Sequence, residues 1–190
     1  MEVAVVIPVK SFGLAKGRLA DSLSADERRD LSRTCAETVV AAAAPWPVYV
    51  VCSDSETAQW AHSLGARVVL CEQPGLDTAV AAGRGAGRTD GVGHVVIAHA
   101  DLPLARTFAG VPRAGRVSLV PDRHRDGTNV LSMPADSAMP TAYGPGSFAN
   151  HLDLARASGL KIDVIDDPDL ALDLDTVEDL DELSRRRHTP

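Results

Sequence analysis

The stretch VAVVIPVKSFGLAKGRLA, Val3 to Ala20, decides the fold class. Its first five residues are apolar and, apart from Ala4, β-branched, which is the composition of a strand buried on both faces. A strand of that kind lies inside a sheet and delivers the following residues to the carboxyl edge, where open α/β folds keep their ligands. There the chain places Lys10, Lys16 and Arg18, with Gly13 and Gly17 among them. Glycine lets the backbone approach a ligand closely, and cations spread through such a loop suit a polyphosphate, so a nucleoside triphosphate is the first expectation. A strand, a glycine turn and solvated lysines describe the same letters. Neither G-x-G-x-x-G nor G-x-x-x-x-G-K-[ST] is present, so the loop alone does not decide.

Working outward, strand-like and helix-like segments alternate, the pattern of a mostly parallel mixed sheet flanked by helices. Ser24 and Glu27 form a capping box for a helix that carries Leu31, Cys35, Val39 and Ala42 on one face and stops at Pro45. Strands are expected at Val48–Cys52, Arg67–Leu70, His94–His99, Arg116–Val120 and Lys161–Ile165. Helices are expected at Glu56–Leu64, Leu76–Arg88, Ser147–Ala157 and Thr176–Arg187, the last capped by Asp175 and Glu178. In the helix from Leu76, the small residues Ala79, Ala82 and Gly83 allow close packing on a sheet. Asn129–Ser132 reads as a short strand returning along the sheet edge. No repeat or long linker interrupts the pattern, and 190 residues form one domain by length, residues 1–190.

The formal net charge of -7 argues against a general nucleic-acid binder. Local cations in an acidic chain therefore point to a particular anion. Cys35, Cys52 and Cys71 are odd in number, form no C-x-x-C pair and read as buried thiols. With no apolar run of 18 residues and no signal-like start, a soluble, cytoplasmic protein without membrane contact is expected.

Four further constellations carry chemistry. In AHADLPL, Ala98 to Leu104, Asp101 follows the carboxyl end of an apolar strand, where a carboxylate can hold a cation; it could equally cap a turn before Pro103. Mg²⁺ needs only one or two protein carboxylates, since waters and substrate phosphates complete its shell. In LDLD, Leu172 to Asp175, residues two apart in an extended segment face the same way, so Asp173 and Asp175 can converge on one cation; Asp175 can also act as a helix cap. Asp166, Asp167 and Asp169 read as a solvated acidic turn. The loop PDRHRDGTNVL, Pro121 to Leu131, offers Arg123, Arg125 and Thr128 to a second anion, or else a hairpin built on Asp126-Gly127. In YGPGS, Gly144, Gly146 and Ser147 precede a helix, whose N-terminus suits a small anion; a turn with a serine N-cap fits too.

With these residues assembled, the chain resembles the guanylyltransferases of coenzyme F-420 biosynthesis, which activate phosphoenolpyruvate or 2-phospho-L-lactate with GTP. The motifs that carry the resemblance are IPVKSFGLAKGRLA, LSADERRDL, ADLPL, DGTNVL, YGPGSFANHL and LDLDTVEDL, in that order over nearly the whole chain. The resemblance implies a Rossmann-like nucleotidyltransferase domain similar to GT-A glycosyltransferases. It implies Asp101, Asp173 and Asp175 toward Mg²⁺, Lys16 and Arg18 toward the triphosphate, and Thr128, Gly144 and Ser147 toward the phosphorylated three-carbon acid; Lys10, in the same cationic loop, is left open as a further phosphate contact. It leaves a homodimer open and implies that the product passes to a downstream deazaflavin transferase. One departure is Asp77, where the family usually has asparagine, at a position expected near the base; an aspartate can still accept from guanine N1 and N2.

The expected reaction is attack by a phosphate oxygen of the acid on the α-phosphorus of GTP, with pyrophosphate leaving. The nucleophile is already ionised, which agrees with the absence of an evident histidine dyad or triad. Other acceptors, such as 3-phospho-D-glycerate, a molybdopterin or a sugar phosphate, remain alternatives, as does a nucleotide sensor without catalysis.

Overall fold

The computed structural model describes residues 1–188. Seven strands join one sheet: β1 (Val3–Pro8), β2 (Val48–Cys52), β3 (Arg67–Leu70), β4 (His94–Ala98), β5 (Arg116–Pro121), β6 (Thr128–Pro134) and β7 (Lys161–Val164). Their spatial order is β3-β2-β1-β4-β6-β5-β7. The helices are α1 (Ala25–Ala42), α2 (Ser55–Ser63), α3 (Leu76–Thr89), α4 (Ser147–Ala157) and α5 (Val177–His188). Two short 3-10 turns, Phe12–Leu14 and Gly17–Leu19, shape the cationic loop after β1.

Alternation of side chains along β1 divides the core between the two faces. Val3, Val5 and Ile7 pack with Ala36 and Val39 of α1 and Trp60 and Ala61 of α2. Ala4 and Val6 face the other way, onto Val80 of α3, and that layer continues to Phe148 and Ala155 of α4. All five residues of β2 and of β4 are buried, as continuous apolar strands covered on both faces should be. A third cluster, Cys35, Leu172, Leu174 and Leu183, seats α5 and the LDLD segment against α1.

Helix α3 lies unusually close to the sheet because it presents no side chain at Gly83. A Cβ there would stand 2.4 Å from Val6 Cγ1 and 2.8 Å from Val51 Cγ2. The predicted capping box of α1 is present, with Ser24 accepting from the Glu27 N–H and Glu27 accepting from the Ser24 N–H.

Three expectations need correction. The strand foreseen as a short return along the sheet edge is longer, Thr128–Pro134, and lies inside the sheet, antiparallel to β4 on one side and β5 on the other. It mixes polar and apolar residues without a simple alternation, yet Thr128 to Met133 are all buried, with Ser132 beside His94. Helix α5 is not capped by Asp175 and Glu178: the Asp179 carboxylate accepts the N–H groups of Asp175 and Thr176 and the Thr176 hydroxyl. Of the three cysteines, Cys35 and Cys52 are buried but Cys71 is partly exposed.

Candidate active site

Because β1 to β4 are parallel, their carboxyl ends share one edge, and a cleft of about 880 Å³ opens there. Its walls come from the ends of all four strands: Pro8, Val9 and Lys10 after β1, Cys52 and Ser53 after β2, Cys71 to Gly75 after β3, and His99 to Asp101 after β4. The first turn of α3 adds Leu76 and Ala79, and the loop residues Lys16, Gly17 and Arg18 border Asp101 and Asp175.

The chain brings Asp101, Asp173 and Asp175 together from two distant segments. One carboxylate oxygen from each lies within 4.8 Å of the others. Backbone contact sets this meeting, since the Leu174 N–H donates to the Asp101 carbonyl at 3.2 Å. The buried Asn129 side chain, at the start of β6, donates to the Leu170 carbonyl and to Asp173 Oδ1, steadying the same segment. Because Asp179 caps α5, the Asp175 carboxylate is free to face the cluster rather than its own helix.

Lys16 is drawn into this cluster. Its Nζ lies 2.6 Å from Asp101 Oδ2 and 3.3 Å from Asp175 Oδ1, and its side chain is only 5% exposed. Burial opposes the ammonium charge, but Asp101 and Asp175 outweigh it and hold the Lys16 pKa above the ordinary lysine value. Burial works against the Asp101 charge too, yet Lys16 beside it holds that carboxyl below its usual range. Asp173 has no such cation. Burial, then Asp101 and Asp175, push its carboxyl up to about 7. Arg18 remains 77% exposed, with a guanidinium nitrogen 3.8 Å from Asp175 Oδ2.

These residues fit a hard divalent cation. Three oxygen donors converge, and Asp101 Oδ1 is buried without a hydrogen-bond partner.

Thr128 and Ser147 meet on the other side of β4, away from the cleft wall. Both are buried, and Ser147 Oγ accepts the Thr128 N–H at 3.0 Å. His151 completes this cluster: its Nε2 accepts the Ala142 N–H, which assigns the proton to Nδ1, and Nδ1 then donates to Thr128 Oγ1 at 3.0 Å. Burial pushes the His151 imidazole down to about 4, so the neutral tautomer persists. Gly144 and Gly146, both at positive φ, form the turn before α4, and Gly146 rather than Ser147 is the N-cap. Two of the first N–H groups of α4 are already taken, Ser147 by the Gly144 carbonyl and Phe148 by the Asp126 carbonyl.

One expectation about polar residues near the site is corrected. Arg123 and Arg125 do not present a free anion grip: Arg123 pairs with Asp179 at 2.7 Å and Arg125 with Asp166 at 2.9 Å, while the Asp122 carboxylate organises the β5–β6 hairpin turn by accepting the N–H groups of His124, Asp126 and Gly127. Asp77 lies in the first turn of α3 between the cleft residues Leu76 and Ala79, and its Oδ1 accepts the Tyr143 N–H at 3.1 Å. Sequence reasoning missed His99, Asn129 and His151. The one available signal was the placement of His99 two residues before Asp101, at the end of an apolar strand.

A family model described as guanylyl transferase CofC like matches residues 3–186. The chain belongs to that family. A phosphoenolpyruvate guanylyltransferase of Sphaerobacter thermophilus is 35% identical, over 97% of this chain and 93% of the relative. A 2-phospho-L-lactate guanylyltransferase of Methanothermobacter thermautotrophicus is 32% identical, over 96% of this chain and 84% of the relative. The fold also matches a solved nucleotidyl transferase from Methanothermobacter, with a TM-score of 0.65, 16% identity and 97% coverage of both chains. This member of the CofC-like family is thus a nucleotidyltransferase, and its strand-end cleft and acidic cluster occupy the edge where an α/β sheet of this kind binds its ligand.

Proposed function

We propose that this chain transfers GMP from GTP to the phosphate of phosphoenolpyruvate or 2-phospho-L-lactate, releasing pyrophosphate, in coenzyme F-420 biosynthesis. The single observation that carries this reading is the convergence of Lys16 with Asp101, Asp173 and Asp175 at the floor of the cleft, in a chain whose full-length relatives bear those names.

In this reaction an oxygen of the acid's phosphate forms a bond to the α-phosphorus of GTP, and the bond from that phosphorus to the β-bridging oxygen breaks. The attacking phosphate is ionised near neutral pH, so no residue must remove a proton. The obstacle is repulsion between two anions, about 4 kcal/mol for unit charges 4 Å apart at an effective dielectric near 20. Asp101, Asp173 and Asp175 are the residues to hold Mg²⁺, which would supply positive charge to the phosphate oxygens. Lys16 and Arg18 offset charge on the departing pyrophosphate, and Lys10, exposed on the cleft wall, extends the cationic path toward solvent. The acid is assigned to the turn at Gly144, with the buried Thr128 and Ser147 positioning that turn and His151 holding the Thr128 hydroxyl in one orientation.

The assignment is tested by Asp101→Ala. Mg²⁺-dependent pyrophosphate release should be lost while the circular dichroism spectrum is unchanged; near-normal turnover would remove Asp101 from the site.

A further inference from the structure

The cation seat between Asp101 and Asp175 is taken by the protein's own lysine. Lys16 Nζ sits within hydrogen-bond distance of Asp101 Oδ2 and Asp175 Oδ1, two residues of the very set whose oxygens converge tightly enough for one metal ion. The backbone enforces the placement. Lys16 adopts φ 59° and ψ 37°, a left-handed conformation uncommon for a residue with a side chain, between the two 3-10 turns of the loop. Gly17, the next residue, has no neighbouring atom within 4 Å of where a Cβ would stand, so the chain beside the Lys16 backbone is uncrowded.

An ammonium and a divalent ion cannot share these oxygens without repelling each other, and neither is screened where the lysine side chain is almost wholly covered. Charge arithmetic shows how both can be kept once they separate. Once all three carboxylates are ionised they carry three negative charges, the lysine returns one and a divalent ion two, so the ionised set is neutral with both cations present. Something anionic must therefore draw Lys16 off. The cleft beside it is built for a polyphosphate, with Lys10 and Arg18 on its wall.

We propose that Lys16 is a built-in placeholder that keeps the acidic cluster closed to divalent metal until the triphosphate of the nucleotide pulls its side chain away, so that metal and nucleotide load together. The inference rests on the reading of Asp101, Asp173 and Asp175 as metal ligands, and it adds that Lys16 competes with the ion for the same atoms.

The test uses the full chain without nucleotide and Mn²⁺ alone as the probe, following the free-ion signal by electron paramagnetic resonance. Removing the competitor in Lys16→Met should tighten Mn²⁺ binding by at least about tenfold over wild type. Arg18→Met removes a neighbouring charge without vacating the seat and should change affinity by less than about twofold, because that pair is exposed. The double variant Lys16→Met/Asp101→Asn should lose the gain, which locates it at the cluster. If Lys16→Met binds Mn²⁺ no more tightly than wild type, or Arg18→Met gains as much, the placeholder role is overturned while the metal site stands. If Mn²⁺ binds none of these proteins, the metal reading itself falls and the inference with it.

Discussion

The Asp77 carboxylate accepts a hydrogen bond from the Tyr143 N–H at 3.1 Å, tying the first turn of α3 to the loop that opens α4. Gly75, Leu76 and Ala79 of that turn line the cleft, whereas Tyr143 begins the segment leading to Gly144 and Ser147. One side chain thus joins the wall of the nucleotide cleft to the proposed acid site. Asp77→Ala should raise KM for the phospho-acid by about tenfold, the cost of roughly one hydrogen bond to a charged group, with a smaller effect on KM for GTP. Asp77→Asn keeps an acceptor oxygen in place and should restore near-normal KM values. Equal rises for both substrates would assign Asp77 to the cleft instead.

Close approach of α3 to the sheet predicts intolerance at Gly83. Alanine there favours the helix by about 1 kcal/mol, but its Cβ would overlap Val6 and Val51 in a packed core, a strain of about 1–3 kcal/mol. Gly83→Ala should therefore lower stability by up to about 2 kcal/mol, a fall in Tm of up to about 8 °C for a chain of this length. Calorimetry of the variant checks this, and an unchanged or raised Tm would show that α3 can move away from β1 and β2.

Acid should destabilise the fold through its buried histidines. Burial pushes His94 down to about 4, and its Nε2 lies 2.8 Å from Ser132 Oγ. The unfolded chain takes up this proton near pH 6.5 while the folded chain resists until about pH 4, so His94 contributes stability above pH 6.5 that is lost as pH falls through that window. The loss is at most about 1.4 kcal/mol per pH unit for one group. His151 acts in the same direction, whereas Asp173, whose pKa is raised from the ordinary carboxylate value to about 7, opposes across the whole window. In urea unfolding across this range, His94→Gln should flatten the pH slope by up to that amount. A slope equal to wild type would mean that His94 titrates alike in both states.

Much of the scaffold was legible because it is written in local patterns. The apolar runs Val48–Cys52 of β2 and Val95–Ala98 of β4, and the Ser24–Glu27 box of α1, leave little freedom in how those segments fold. Asp101 was legible for the same reason, as a carboxylate on the end of a rigid strand. Features set by distant partners were not. β6 reads as an edge strand from its own residues, and only its pairing with both β4 and β5 places it inside the sheet. Asp175 and Glu178 have the spacing of a capping box, but Asp179 wins the N–H groups and is itself held by Arg123 from the β5–β6 hairpin. Lys16 was visible as a phosphate ligand. That it pairs with Asp101, 85 residues away, was not.

The central claim is that this chain makes a bond between the α-phosphorus of GTP and the phosphate of a three-carbon acid. Mass spectrometry of the products formed from GTP and Mg²⁺ with phosphoenolpyruvate, 2-phospho-L-lactate or 3-phospho-D-glycerate tests it most directly. The account predicts a GMP adduct of phosphoenolpyruvate or 2-phospho-L-lactate, joined through a diphosphate and formed in equal amount with pyrophosphate. It would be contradicted if none of these acids gave an adduct while a sugar phosphate or another nucleotide did.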